Sequence, residues 1–313
     1  MKQRTDDEQI LLLGVLGMLV FVVVAGIVWL FGLGEDAEPD TEALEVVHAD
    51  GGTGSIGAPG VVGRLPDAVG ESSGIAVSRA DSTLLWTHND GPDGRVFLIR
   101  RTGELVGVVR AVGASVADVE DIAVGECPAE MAAPGCLYLA DTGDNARDRE
   151  SYAVLVAPEP AATAWGEGST RELEVEFSAL PFRYPDGSYD AEALALSPAG
   201  DLLVITKGQE GSAHVFRIPT DGDQAVPLGA LPIDVSDEGL RPTGAALSPS
   251  GSSIAVRSDA ALFLFASDDF SKTLHRCDLP SGQQGEAIDF ITDVLFVVTQ
   301  EGAGAPIEIV SCP

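Results

Sequence analysis

Positive charge is scarce in this sequence. Lys and Arg together number 18 against 49 Asp and Glu, so the 313-residue chain has a formal net charge of −31. Only three of the bases are lysines. An acidic surface of this kind repels phosphate backbones, which argues against nucleic-acid binding. It is typical instead of a solvated, exposed domain or of a protein that binds cations.

Charge of either sign is missing from residues 10–33. At a rise of 1.5 Å per residue, a helix of these 24 residues spans the ~30 Å hydrocarbon core of a bilayer. Lys2 and Arg4 precede the run, and no Lys or Arg follows it until Arg64. The positive-inside rule therefore places residues 1–9 in the cytoplasm and the bulk of the chain outside. A cleaved signal peptide is the competing interpretation, but its apolar region is normally ~7–15 residues, so we predict an uncleaved, single-pass signal anchor in the cell membrane.

The cysteine spacing that is typical of zinc sites is also missing, because no two of the four cysteines form a C-x-x-C pair. An even number of cysteines outside the cytoplasm indicates disulfides. Cys127 and Cys136 bracket a short loop, which fits a stapled hairpin. Cys277 is then left to pair with Cys312 near the C-terminus.

Helical periodicity does not continue beyond the apolar run. Residues 34–57 are rich in Glu, Asp, Gly and Ala, and they predict an acidic, flexible linker. In residues 58–313, short apolar runs alternate with turns of Gly, Pro, Asp and Asn. That pattern predicts an extracytoplasmic all-β domain.

A three-strand phrase repeats five times through this domain. Each copy begins with a small or acidic residue that opens an apolar strand, and the five openings are Ser73, Glu120, Glu192, Thr243 and Glu286. They are 47, 72, 51 and 43 residues apart, mostly close to the ~40–50-residue period of a four-stranded propeller blade. We therefore predict a five-bladed β-propeller. A β-sandwich is the rival fold, but it has no reason to repeat one phrase five times.

Two irregularities of the repeat carry predictions of their own. The 72-residue step holds an insertion, placed near residues 161–172, and it leaves room for a sixth blade. The fifth copy ends after three strands, so we predict that residues 61–64 supply its fourth strand and close the ring. Closure removes unpaired edges, and with the acidic composition it predicts a monomeric domain.

The repeat also places polar residues at one mouth of the central channel. In a propeller the first strand of each blade lines the channel and the second runs antiparallel to it, so the start of the first strand meets the end of the second. The residues that end the second strands are His88, Asp141, Lys207, Arg257 and Gln300. Beside these two rings lie Glu71, Asn89, Asp90, Asp118, Asp144 and Asn145.

Glutamates that surround one axis repel each other unless a cation or hydrogen bonds compensate. Carboxylate and amide oxygens are ligands that Ca²⁺ prefers. We therefore predict a Ca²⁺ site with the ligands Glu71, Glu120, Glu192 and Glu286. The predicted contacts to a bound ligand are Asn89, Asn145, Lys207, Arg257 and Gln300. The alternative is a charge-balanced ring, in which Lys207 and Arg257 neutralise the glutamates without a metal.

Several phrases of the sequence resemble a group of secreted or membrane-anchored bacterial β-propeller proteins. The phrases are residues 71–76, 86–90, 118–123, 141–145, 184–187 and 190–194, and the resemblance covers about residues 70–300. The group is distantly similar to the calcium-dependent gluconolactonase and paraoxonase propellers. In those proteins Glu, Asn and Asp residues at the channel mouth hold the metal, so the resemblance implies the same placement here.

Three functions are compatible with this sequence. The first is a membrane-anchored propeller that binds a small-molecule or protein ligand, or a divalent cation, at its acidic mouth. The second is a metal-dependent hydrolase of lactones, esters or phosphate esters, with His88, Asp141 or Asp144 as the base. The third is a structural partner in an envelope complex, for which a large exposed apolar patch would be the sign.

Overall fold

The repeated phrase of the sequence folds into a repeated antiparallel sheet. The structure, a computed structural model, describes residues 45–47, 53–55, 60–166, 170–208, 211–279 and 284–312. They contain two short 3₁₀ turns, Ala162–Ala164 and Glu238–Leu240, and no α-helix. In chain order the strands are β1 (Glu45–Val47), β2 (Thr53–Ser55), β3 (Gly60–Arg64), β4 (Ser72–Val77), β5 (Leu84–Asn89), β6 (Arg95–Arg100), β7 (Leu105–Val112), β8 (Val119–Gly125), β9 (Cys136–Asp141), β10 (Tyr152–Pro158), β11 (Arg171–Glu176), β12 (Ser178–Phe182), β13 (Ala191–Leu196), β14 (Leu202–Thr206), β15 (His214–Ile218), β16 (Val226–Ala230), β17 (Gly244–Leu247), β18 (Ser253–Arg257), β19 (Ala261–Ala266), β20 (Asp269–Asp278), β21 (Gly285–Thr292), β22 (Leu295–Gln300) and β23 (Pro306–Ser311).

Five sheets form the blades of a propeller, which confirms the predicted fold. Blade 1 has the strand order β4-β5-β6-β7-β11, and blade 2 has the order β8-β9-β10-β12. Blades 3 and 4 are β13-β14-β15-β16 and β17-β18-β19-β20, and blade 5 is β21-β22-β23-β3. The first strand of each blade contacts the first strand of the next, and β21 contacts β4 to complete the ring. The described residues contain no sixth blade, and their remaining sheet is the small pair β1-β2 within the segment predicted to be a linker.

Strand β3 closes the ring in the predicted way. It pairs antiparallel with β23, with Arg64 opposite Pro306 and Gly60 opposite Ile309. A strand from the start of the domain thus completes the last blade, so the two ends of the domain are joined by backbone hydrogen bonds. Both predicted disulfides are also present, Cys127–Cys136 within the β8–β9 hairpin and Cys277–Cys312 between blades 4 and 5.

The 72-residue step is explained by an excursion between blades. After β10 the chain leaves blade 2, and β11 pairs parallel with β7 as an additional outer strand of blade 1. The next strand, β12, returns to pair with β10. Trp165 anchors the excursion, because its ring packs against Gly107 of β7 and lies edge-on to Trp86 at 5.7 Å.

Two carboxyl groups tie the innermost strands together inside the channel. Asp121 of β8 accepts hydrogen bonds from the backbone N–H groups of Ile122, Leu194 and Ala245 at 2.8, 2.8 and 3.3 Å. One side chain thereby joins blades 2, 3 and 4. The strands approach so closely that a Cβ on Gly74 of β4 would lie 2.6 Å from the Ile122 nitrogen.

Asp289 of β21 has the same role between blades 5 and 1. Its carboxyl group accepts from the N–H of Val77 at 2.6 Å and from the N–H of Phe290 at 2.7 Å. Burial raises the pKa of Asp289 to about 7. The two aspartates together hold strands from all five blades.

The predicted membrane anchor, residues 10–33, lies outside the described residues. Among the residues that the structure does describe, no helix is long and apolar enough to cross a bilayer.

Removal of β3 tests the ring closure. We expect a chain of residues 65–313 to melt far below a chain of residues 60–313, because the loss of β3 exposes the edge of β23. Circular dichroism during heating measures both midpoints. The two chains share the same missing N-terminal segment, so they differ only in β3, and equal midpoints would contradict closure by this strand.

Candidate metal centre

Backbone bulges aim the acidic side chains at the channel mouth. The strand register shifts at the first position of four blades, around Ser73, Glu120, Glu192 and Glu286. A bulge leaves one residue without a partner in the neighbouring strand and turns its side chain to a new direction. The equivalent residue of blade 4 is Thr243, whose hydroxyl donates to the carbonyl of Glu286 in the next blade at 3.1 Å.

Five carboxylates converge beside blades 1, 2 and 3. One oxygen each from Asp90, Asp118 and Glu120 lie within 4.8 Å of one another, and the same holds for Glu120, Asp190 and Glu192. Glu120 belongs to both groups and is buried, as are Asp190 and Glu192, whereas Asp118 is half-buried and Asp90 is exposed. The cluster therefore has a buried side and a side that is open to solvent.

A glycine leaves room between two of these carboxylates. A Cβ on Gly143 would lie 2.0 Å from Oε1 of Glu120 and 2.4 Å from Oδ2 of Asp118. The Gly143 N–H donates to the backbone carbonyl of Asp118 at 3.2 Å, which holds the loop after β9 against the cluster. Any side chain at position 143 would occupy the space on which the carboxylates converge.

The cluster carries more negative charge than it can hold in its ionised form. Burial, followed by the charge of Glu192, raises the pKa of Glu120 to about 10. Burial also raises the pKa of Glu192 to about 7, although its ion pair with Lys207 lowers it. Without a bound cation, Glu120 is therefore protonated at neutral pH.

Arg149 and Tyr152 brace the loop that covers the cluster. Arg149 forms an ion pair with Asp141 at 3.1 Å and donates to the carbonyl of Gly143 at 2.7 Å. The carboxylate of Asp144 accepts from the Tyr152 hydroxyl at 2.7 Å and from two backbone N–H groups of the loop. Of the two predicted candidate bases, Asp144 thus has both carboxylate oxygens engaged in holding the loop, and Asp141 has its Oδ1 engaged.

His88, the third candidate base, lies beneath the mouth. Its side chain is 1% exposed, and its Nδ1 forms a hydrogen bond with the carbonyl of Asn89 at 2.9 Å. Its buried Nε2 has no hydrogen-bond partner among the described residues. Burial lowers the pKa of His88 to about 4, so the imidazole is neutral at pH 7.

The other predicted residues take different positions. Arg257 is buried and donates to the backbone carbonyls of Ala287 and Thr299 in blade 5, so it joins two blades rather than facing a ligand. Asn89, at the end of β5, braces the loop before β4, because it accepts from the Glu71 N–H at 3.1 Å and donates to the Ala68 carbonyl at 3.0 Å. Asn145 is exposed, Gln300 ends β22, and Glu71 is exposed at the mouth.

Glu286 lies at the mouth but outside both carboxylate groups. It is 8% exposed, and its Oε2 has no hydrogen-bond partner among the described residues. Burial and the charge of Glu192 raise the pKa of Glu286 to about 7. Lys207 forms its ion pair with Glu192, and Glu286 has no ion pair among the described residues, although the charges of Lys207 and Arg257 partly offset its own.

Asp190 was not among the metal ligands proposed from the sequence, and neither were Asp90 and Asp118. A signal for two of them exists, because Asp118 precedes Glu120 by two residues and Asp190 precedes Glu192 by two. Because blades 2 and 3 are neighbours and carry the same Asp-x-Glu spacing, both pairs of acids meet at the carboxylate cluster. Asp90 has no such repeated partner and joins the cluster through the loop after β5.

Comparisons with known proteins address the fold. No protein-family model matches the chain, and no curated protein matches it. The PQQ-bound aldose sugar dehydrogenase of Streptomyces coelicolor superimposes with a TM-score of 0.49 and 10% identity, covering 82% of this chain and 100% of that one. A candidate gluconolactonase superimposes with a TM-score of 0.43 and 15% identity, covering 82% of this chain and 93% of that one. A glucose dehydrogenase superimposes with a TM-score of 0.46 and 14% identity, covering 80% of this chain and 99% of that one. At these values the likeness has no bearing on function.

The raised pKa of Glu120 predicts a pH-dependent stability. Between pH 6 and 8 Glu120 is ionised in the unfolded chain but protonated in the folded, metal-free chain, so folding takes up a proton and becomes less favourable as the pH rises. We expect the free energy of unfolding to fall about 1 kcal/mol per pH unit more steeply in the wild type than in Glu120→Gln. Urea unfolding of chelator-treated protein measures the slopes.

Glu71→Gln is the matched control, because Glu71 lies exposed at the same mouth. It makes the same chemical change, from a carboxyl group to an amide, and should keep the steeper slope. Parallel slopes for the wild type and Glu120→Gln would show that the cluster is not under this electrostatic tension.

Proposed function

We propose that the propeller binds a divalent cation at its acidic mouth, and that Ca²⁺ is the cation of best fit. The observation that carries the proposal is the pair of three-carboxylate groups that share Glu120 and pack closely against Gly143, where no side chain fits. The residues that would hold the ion are Asp90, Asp118, Glu120, Asp190 and Glu192. All are oxygen donors, which hard cations prefer over the nitrogen and sulfur ligands typical of zinc.

Charge balance supports the same proposal. Lys207 is the only base that forms an ion pair with these five carboxylates among the described residues. A divalent cation would allow Glu120 and Glu192 to ionise, and the free energy of that binding would add to the stability of the folded chain. Arg257, expected in the alternative interpretation to balance the ring, makes its hydrogen bonds to blade 5 carbonyls instead.

A metal-dependent hydrolase is the second candidate function. It is favoured by the open side of the cluster, where Asp90 is exposed and Asp118 is half-buried. A cation held there would polarise a lactone, ester or phosphate ester that approached from solvent. In this function the ion would be held by Glu120, Asp190 and Glu192, which leaves Asp118 free to accept a proton. Burial raises the pKa of Asp118, and its position at the open side suits it better than His88, which is enclosed.

We further propose that the chain is anchored in the cell membrane by residues 10–33, with the propeller outside the cytoplasm. The two disulfides support this location, because they persist in oxidising compartments and are rare in the cytosol.

Calcium addition tests the metal site. We expect Ca²⁺ at a hundredfold excess over its Kd to stabilise chelator-treated protein by about 2.7 kcal/mol. Gly143→Ala should abolish this response, because the added methyl group would lie among the carboxylates of Glu120 and Asp118. Thermal unfolding with and without Ca²⁺ measures the effect.

Gly70→Ala is the matched control, since a Cβ at Gly70 meets no atom within 4 Å. This variant should respond to Ca²⁺ like the wild type. A calcium response that survives in Gly143→Ala, or a wild type that does not respond, would overturn the proposed site.

Protease treatment of intact cells that produce the full chain tests the location. We expect the propeller to be lost from intact cells, because it is outside the membrane, whereas a cytoplasmic protein remains whole. Protection of the propeller until the cells are lysed would contradict the proposed topology.

A further inference from the structure

A cavity lies at the opposite end of the channel from the acidic cluster. It has a volume of about 600 Å³, within the range of small-molecule sites. The later halves of all five innermost strands line it, and its walls combine polar groups with apolar side chains that include Ile75, Ile122, Leu247 and Phe290. The sequence-based functions make no use of this end.

The innermost strands direct alternate N–H groups into the channel. In an antiparallel pair every second residue bonds to its neighbour strand, and the residues between them direct their N–H groups away from it. Ser197 N–H bonds to Asp201 and Ser248 N–H bonds to Ser253, so the N–H groups of Leu196 and Leu247 face the channel. In β8 the N–H of Ile122 faces the channel, because it is bound to Asp121. Val124 is two residues further along the strand, so its N–H faces the channel as well.

Blades 2, 3 and 4 therefore present two sets of three backbone N–H donors to the channel, one set above the other. The upper trio, Ile122, Leu194 and Ala245, is bound to the carboxyl group of Asp121. The lower trio, Val124, Leu196 and Leu247, lies two residues further along the same strands, about 7 Å nearer the cavity. All three residues of the lower trio line the cavity.

Small side chains leave space beside the lower trio. The residue that corresponds to Asp289 in blades 2, 3 and 4 is Ala123, Ala195 or Ala246. Asp289 itself binds the N–H groups of blades 5 and 1 at this level. Asp121 and Asp289 thus each bind a set of inward-facing donors, whereas the described residues supply no carboxyl group to the trio of Val124, Leu196 and Leu247.

We propose that the cavity is a binding site for a small carboxylic acid with an apolar chain. Its carboxylate accepts from the N–H groups of Val124, Leu196 and Leu247, as Asp121 accepts from the trio above. Its hydrocarbon chain packs against the apolar side chains of the cavity. This site is separate from the proposed metal centre, which lies at the other mouth.

The charges that face this site set the conditions for binding. Asp289 is partly exposed on the wall of the cavity, Asp121 lies one level above, and Arg79 and Glu126 are exposed at the rim. Burial raises the pKa of Asp289 to about 7, so it is mostly neutral at pH 6, where a simple carboxylic acid remains ionised. Binding is therefore expected to be tighter at pH 6 than at pH 8.

Binding of sodium hexanoate to the full chain tests the proposal. Calorimetry at pH 6 should show hexanoate binding about tenfold or more tightly than 1-hexanol, which has the same chain but no charged acceptor. Hexylamine should not bind. Equal affinity for hexanoate and hexanol, or a preference for hexylamine, would overturn the proposal.

Ala123→Asp supplies the missing carboxyl group from the protein itself. At the position equivalent to Asp289 it would accept from the N–H groups of Val124 and Leu196, so we expect the melting midpoint to rise by about 2–4 °C and hexanoate binding to be lost. Ala123→Leu is the control of similar bulk, and it should block hexanoate without raising the midpoint. A lowered midpoint in Ala123→Asp would show that the N–H groups of Val124 and Leu196 are not available to bind a carboxylate.

Discussion

Each blade of a propeller presents an unpaired strand edge to the central channel, and the buried N–H groups on that edge need acceptors. Here two aspartates supply acceptors for part of that edge. Asp121 binds donors from three blades and Asp289 binds donors from the other two. The free energy of desolvating both carboxyl groups is offset by hydrogen bonds that join strands far apart in the chain. These bonds divide the channel into an acidic mouth and the cavity at its opposite end.

The acidic mouth shows the opposite situation, in which acceptors outnumber donors. Bulges at the first position of successive blades turn Glu120 and Glu192 into a space already bordered by Asp90, Asp118 and Asp190. Protonation or a cation relieves the repulsion that Lys207 leaves uncompensated, and burial, followed by the charge of Glu192, raises the pKa of Glu120. An arrangement that is unfavourable in itself and held by a rigid ring is typical of functional sites.

Much of the fold was predictable because its signals are local and repeated. Five copies of one strand phrase indicated five blades, and the missing fourth strand of the last copy indicated closure by β3. The pairing of β11 with blade 1 was not predictable, because parallel pairing between distant segments leaves no local pattern. Arg257 was expected to face the mouth from its place in the repeat, yet its length lets it reach carbonyls of the next blade.

The sequence by itself determined the repeat of five strand units, the closing strand, both disulfides and an acidic ring at one mouth, while the structure decided against a sixth blade among the described residues. Each follows from spacing, from the count of cysteines or from strand alternation, which are properties of the chain alone. The tertiary structure decided which acids meet, because the distance between Glu120 and Asp190 depends on how blades 2 and 3 are rotated about the axis. It also decided that Asp121 closes one set of donors while the set below it faces a cavity, since hydrogen bonds across three blades exist only after the ring has formed.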